Sequence, residues 1–173
     1  MNLESFVRSV PDFPKKGIVF RDITTLLKDE KALHYCADQL AEHYQGKKID
    51  KVVGIESRGF IIGGLLAYKL GAGFVPVRKP GKLPAEKIRQ EYQLEYGTDT
   101  MEIHTDAIHN GERILMHDDL LATGGTIEAA CKLVERLGGN VISLGFVIEL
   151  SFLNPRRRLP RYDIFSLIEY KSE

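Results

Sequence analysis

Apolar residues recur along the chain with two different periods, and the alternation between them predicts a layered α/β fold. Between residues 29 and 45, Leu33, Cys36, Ala37, Leu40 and Tyr44 fall on one helical stripe. Lys51 to Ile55 then reads as a short buried strand, 59–70 as a helix rich in Gly and Leu, and Gly73 to Val77 as the next strand. Further strands are predicted over 112–118 and 140–149, flanking a helix over 125–137, and a last strand runs from Tyr162 to Tyr170. At the start, Leu3, Phe6, Val7 and Val10 predict a short amphipathic helix stopping at Pro11. The turn Pro14-Lys15-Lys16-Gly17 leads from there into Ile18-Val19-Phe20 and Arg21-Asp22-Ile23-Thr24. Strands alternating with helices of this length predict an open, mostly parallel twisted sheet with helices on both faces, built by one domain over residues 1–173. Residues 78–104 interrupt the rhythm, with no helical stripe and with Tyr92-Gln93-Leu94-Glu95-Tyr96 as one arm of a hairpin around Gly97. A section this long inside a compact domain is expected to be a lid, a binding loop or disordered.

Composition narrows the class without choosing a function. Lys plus Arg number 24 and Asp plus Glu also 24 in 173 residues, so no overall field draws the chain to nucleic acid or to a membrane surface. No apolar run reaches membrane-spanning length, the start lacks a basic region followed by an apolar one, and Cys36 and Cys131 have no metal-type spacing. They are expected as buried thiols of a cytoplasmic protein. His34, His43, His104 and His109 likewise lack partners at metal spacing. Local charge does vary: from Arg78 to Arg89 five basic residues face one acid, Glu86, and Arg156-Arg157-Arg158 with Arg161 forms a second cluster, expected as a solvated turn or a subunit contact.

The chemistry concentrates where apolar runs end. Ile114-Leu115-Met116-His117-Asp118-Asp119-Leu120-Leu121-Ala122-Thr123-Gly124-Gly125-Thr126 passes from a buried strand through paired carboxylates into a small-residue loop that opens a helix. In open α/β sheets ligands sit beyond the carboxyl ends of the strands, and a helix N-terminus preceded by such a loop suits a phosphate. The carboxylates need something hydroxylated or positive between themselves and that phosphate, so a phosphorylated sugar with a divalent metal fits both halves. A Walker A loop is excluded because no Lys precedes Thr126, and the GxGxxG dinucleotide fingerprint is absent. A helix merely capped by Thr123 would leave the acidic pair unexplained. Gly54-Ile55-Glu56-Ser57-Arg58-Gly59-Phe60 ends a second apolar strand, and Arg58 offers a planar fork of donors to phosphate oxygens. The bland alternative is a surface ion pair between Glu56 and Arg58.

The first motif resembles the phosphoribosyl-diphosphate (PRPP) signature of the type I phosphoribosyltransferases, and its DDLLATGGT form is similar to the adenine branch. The resemblance extends from Phe13 to about Leu153. It implies that Asp118 and Asp119 hold the ribose hydroxyls, with a catalytic share in stabilising the developing positive charge, and that Ala122, Thr123, Gly124, Gly125 and Thr126 hold the 5′-phosphate. Ser57 and Arg58 would bind the diphosphate in a loop whose first peptide is commonly cis in relatives. Lys79, on a flexible hood over 78–104, would lie across the same diphosphate. Glu95 would handle the proton at the base, although by residue type alone Glu91 and Glu102 are equal loop carboxylates. The segment Phe13 to Thr24 resembles the adenine-reading segment of the family, with backbone groups around Val19 and Arg21 on the amino edge, Val19 or Phe20 and Leu121 on the ring faces, and Asp22 in a structural role. His117 departs from the aliphatic residue expected before the acidic pair.

The implied activity is conversion of adenine and PRPP to AMP and diphosphate, with inversion at ribose C1′, in purine salvage. The implied cofactor is Mg²⁺ carried mainly by substrate and water, with no side-chain ligand assigned, and the implied assembly is a homodimer. Two alternatives stay open on sequence: a transferase for 6-oxopurines, and a non-catalytic sensor of PRPP or purines.

Overall fold

The computed structural model describes residues 1–93 and 97–173. Five strands form the main sheet: β3 (Lys51–Ile55), β4 (Gly73–Val77), β7 (Arg113–Leu121), β8 (Asn140–Leu150) and β9 (Ile164–Tyr170), in the order β4-β3-β7-β8-β9. Every neighbouring pair in this sheet is parallel. The chain leaves β3 for β4 on one side and later returns to the other side of β3 as β7. The order therefore reverses between β3 and β7, where a crevice opens at the carboxyl ends.

Helices cover both faces, as the periodicity predicts. On one face α2 (Glu30–Tyr44) and α3 (Glu56–Leu70) bury Cys36, Leu40, Tyr44, Ile62 and Leu66 against Val52, Leu115 and Val147. On the other, α4 (Gly125–Arg136) packs Ile127, Cys131 and Val134 against Val53, Met116 and Phe146. Both cysteines lie in these cores.

Residues 78–104 hold more regular structure than the missing helical stripe suggests. β5 (Lys87–Gln93) and β6 (Thr98–His104) pair antiparallel, and Arg78 bridges Glu102 through reciprocal backbone bonds of 2.9 and 2.7 Å. Met101 and Ile103 of β6 are fully buried in the α4-side core, so alternate residues of one arm anchor the hairpin.

Three expectations are corrected. The opening segment is a 3-10 turn, Leu3–Phe6, followed by strand β1 (Arg8–Val10) paired with β2 (Phe20–Asp22); the Arg8–Asp22 ion pair at 2.6 Å ties them. So short an apolar stripe offers too little burial to sustain a helix of its own. The strand expected to stop at 118 runs on to Leu121, because Asp118, Leu120 and Leu121 stay paired with Phe146, Ile148 and Glu149 of the long β8. Helix α3 starts at Glu56 rather than 59, which places Ser57 and Arg58 in its first turn and not in a loop; a four-residue helix, α1 (Thr24–Leu27), precedes α2.

Candidate active site

The crevice at the switch point holds a cavity of about 550 Å³. Its floor is the end of β7, where Asp118, Asp119 and Leu121 lie, and one wall is Ala122 to Thr126, running into α4. Ser57 and Arg58 from the first turn of α3 form the opposite wall, and Lys79 closes the side. The structure thus brings together every residue proposed above for PRPP. Glu95 lies outside the described residues.

The anion wall follows from its glycines. Gly124 adopts φ +84°, and a Cβ there would meet Leu159 Cδ1 and the Pro155 carbonyl, both at 3.3 Å. No side chain caps α4, so Thr123 does not take the capping role considered above, and the residues of its uncapped first turn line the cavity. Across the cavity, a Cβ on Gly59 would stand 3.1 Å from Asp118 Oδ1, so the close approach of α3 to β7 depends on its absence.

Asp119 is buried, and its Oδ2 lies 2.9 Å from Arg58 Nε as an ion pair, without the alignment of a hydrogen bond. Asp118 Oδ1 accepts a bond of 2.8 Å from the Asp119 backbone N–H. Burial, and then the neighbouring Asp119 charge, push the Asp118 carboxyl well above the usual carboxylate range; burial also raises Asp119, against the pull of Arg58. Beneath them His117 is fully buried, with no well-aligned hydrogen bond at either ring nitrogen, and burial lowers it to about 4 against a weak opposing contact with the Gly145 backbone. It is therefore a neutral core residue in contact with no ligand space.

Glu56, at φ +46°, turns its carboxylate to the backbone N–H of Lys79 and to Arg78, not to Arg58, so the surface ion pair considered above is not formed. The Glu56–Ser57 peptide is trans; the cis peptide is Phe13–Pro14. The Arg cluster is an exposed turn, as expected, and is also anchored: Arg156 makes two bonds of 2.8 Å to the buried Glu149, and Arg158 pairs with Glu128 of α4 at 2.6 Å.

Val19, Phe20 and Arg21 do not line the cavity. Phe20 borders it through Arg58, whose guanidinium stands 5.0 Å from its ring centroid. The Arg21 side chain turns away, lying 3.9 Å over the Tyr170 ring and bonding Ser9, so only its backbone remains for a ligand. Asp22 accepts from Arg8 and Thr24, in keeping with the structural role expected of it. Of the alternative loop carboxylates, Glu102 is buried and accepts from the Gly81 N–H, whereas Glu91 is exposed on β5. Sequence reasoning missed Tyr92 and Asp99, which line the cavity side by side as cross-strand partners on β5 and β6.

Comparison with known proteins agrees with this geometry. Residues 22–171 match the phosphoribosyl transferase domain model. A curated adenine phosphoribosyltransferase of Acidobacterium capsulatum is 62% identical over 97% of this chain and 93% of its own length. The crystal structure of adenine phosphoribosyltransferase from Thermoanaerobacter pseudethanolicus superposes with a TM-score of 0.95 at 57% identity, covering 97% of this chain and 98% of that one. The Saccharomyces cerevisiae adenine phosphoribosyltransferase, solved with adenine and an imino-altritol bisphosphate, gives a TM-score of 0.89 at 42% identity, with 95% of each chain covered. The chain belongs to the type I phosphoribosyltransferases, in their adenine phosphoribosyltransferase branch.

Proposed function

We propose that the chain transfers the phosphoribosyl group of PRPP to N9 of adenine, giving AMP and diphosphate for purine salvage. The observation that carries this reading is the meeting of an acidic pair, an uncapped helix N-terminus and two basic side chains around one cavity. Each part of PRPP has a complementary wall: the 5′-phosphate at Ala122 to Thr126, the ribose hydroxyls at Asp118 and Asp119, and the diphosphate at Ser57, Arg58 and Lys79. Binding at both charged ends fixes C1′ between them, so binding energy remote from the reacting carbon orients it. The acidic pair stabilises positive charge on the ribose as the glycosidic bond to diphosphate lengthens. Attack from the opposite face inverts C1′.

Among the described residues no group of three or more His, Cys, Asp and Glu could hold a metal by itself. The hard oxygens of Asp118 and Asp119 suit a Mg²⁺ held mainly by substrate oxygens and water and reached through that water, since Asp119 Oδ2 is already ion-paired with Arg58. When bound, Mg²⁺ neutralises charge on the departing diphosphate.

Adenine lies between Leu121 and the Val19–Phe20 segment in this reading, with the Val19 and Arg21 backbone on its amino edge and Glu95 taking the N9 proton. The whole chain acts as one unit, residues 78–104 covering the site. The buried thiols fit a reducing cytoplasm. Ile61, Leu65 and Tyr68 of α3, beside Phe74 of edge strand β4, form an apolar face suited to a second copy of the chain; Tyr68 is 86% exposed. Among the described residues no helix is long and apolar enough to cross a membrane.

A base-competition assay tests the reading. With PRPP and Mg²⁺ present, adenine is expected to be converted ahead of hypoxanthine, guanine and xanthine; faster conversion of a 6-oxopurine assigns the chain to that specificity, and binding of PRPP with no nucleotide formed makes it a sensor.

A further inference from the structure

Asp99 is a carboxylate set in the cavity among the groups proposed for phosphate, apart from the acidic pair proposed for the ribose. It lies on β6 and lines the space, and its Oδ2 receives two donors: Lys79 Nζ at 3.1 Å and the Tyr92 hydroxyl at 3.2 Å. The Tyr92 oxygen in turn accepts from the hydroxyl of Thr126, in the anion wall, at 3.4 Å. Asp99 Oδ1 is occupied by the Thr100 backbone N–H at 2.8 Å. A single carboxylate oxygen therefore stands where donors converge from both ends of the cavity, from Lys79 directly and from Thr126 through Tyr92.

Read as architecture alone, this pair explains little. An ion pair of this exposure is worth about 1 kcal/mol at most, and the buried Met101 and Ile103 already fix the hairpin. Read as recognition, Asp99 works against the ligand, since a carboxylate beside a diphosphate repels it. The two facts agree if the carboxylate occupies Lys79 only while the ligand is away.

We propose that Asp99 is a built-in competitor for the diphosphate: its carboxylate holds Lys79 in the empty site, yields it to phosphoryl oxygens when PRPP binds, and reclaims it as diphosphate leaves. This rests on the phosphoribosyl transfer reading above. Asp99 makes no contact with the reacting atoms in this scheme. It is a positioning residue that sets how tightly the diphosphate end is held and how fast that product departs.

Calorimetric titration of the full chain with inorganic diphosphate and Mg²⁺ tests it, using wild type, Asp99→Asn, Lys79→Met and the double variant. Asn keeps the shape and an acceptor for Tyr92 but loses the charge. Asp99→Asn is expected to bind diphosphate about two- to fivefold more tightly, the span an exposed ion pair allows, and to release it more slowly in stopped flow. That gain should vanish in the Lys79→Met background. A merely structural Asp99 would move affinity the other way. Asp99→Ser, also uncharged, repeats the measurement if the Asn variant is poorly folded. Unchanged or weaker diphosphate binding by a folded neutral variant overturns the proposal, as does a gain of equal size without Lys79. Failure of wild type itself to bind diphosphate or PRPP would overturn the reaction assignment beneath it.

Discussion

Asp118 and Asp119 are held against their own preference. Their carboxyls titrate above the ordinary range in the folded state, so the folded protein binds those protons more readily than the unfolded chain does. Stability from this source is full below the unfolded value and is lost as pH rises through the raised values, so at neutral pH the charged pair costs stability. Replacing both by Asn is expected to lower kcat/KM at least about 100-fold, the scale of losing preorganised charge stabilisation. The same variant should melt higher than wild type at pH 7, with the margin narrowing as pH falls through the raised carboxyl values and closing by about pH 4, the ordinary carboxylate value of the unfolded chain. Melting curves across pH together with steady-state kinetics check both signs; a folded double variant of near-normal turnover, or one that melts lower at pH 7, contradicts the ribose-side role. Residues such as these were legible because they stand next to one another at a strand end with the right chemistry. Tyr92 and Asp99 were not: they meet only through the β5–β6 register, and neither arm carries a local sign of the other. The Arg21 side chain was likewise illegible, since its seat on Tyr170 lies across the whole chain.

Among the elements, long periodic segments were read well and short ones poorly. Helices α2 and α4 and the buried strands announced themselves by period. The first residues did not, because the same Phe6, Val7 and Val10 serve a turn and a strand equally well, and only pairing with β2 decides between them. The start of α3 was misplaced because Glu56 enters it at positive φ, a conformation its residue type does not advertise. The segment 78–104 carries two proposed roles that kinetics can separate. Lys79→Ala should chiefly raise KM for PRPP, since Lys79 compensates diphosphate charge in the bound ground state. Glu95→Gln should chiefly lower kcat, by about 100-fold or more, since proton transfer is made in the transition state. Single-turnover rates distinguish chemistry from product release; a full chemical rate in Glu95→Gln moves the proton role to Glu91 or to a water relay.

At the scale of the whole molecule, the parallel sheet gathers the proposed PRPP-binding groups at the carboxyl ends of its strands and leaves α3 and β4 with an apolar outer face. A face bearing Ile61, Tyr68 and Phe74 is unusual to leave in water. Ile61→Glu with Tyr68→Glu is expected to convert a dimer into a monomer in sedimentation equilibrium, through charge placed in a desolvated contact. An unchanged dimer mass would move the subunit contact to another face.

The seat of Arg21 on Tyr170 has a consequence for how the protein comes into being. Leu3, Ile168 and Tyr170 share one core, so a segment made early is completed by a strand made late. A nascent chain released as far as β8 holds β1 to β8 and their helices but not Tyr170 of β9. The Tyr170 ring on which Arg21 rests is then missing, so the proposed sugar-phosphate side of the pocket is expected to take shape before the proposed purine side.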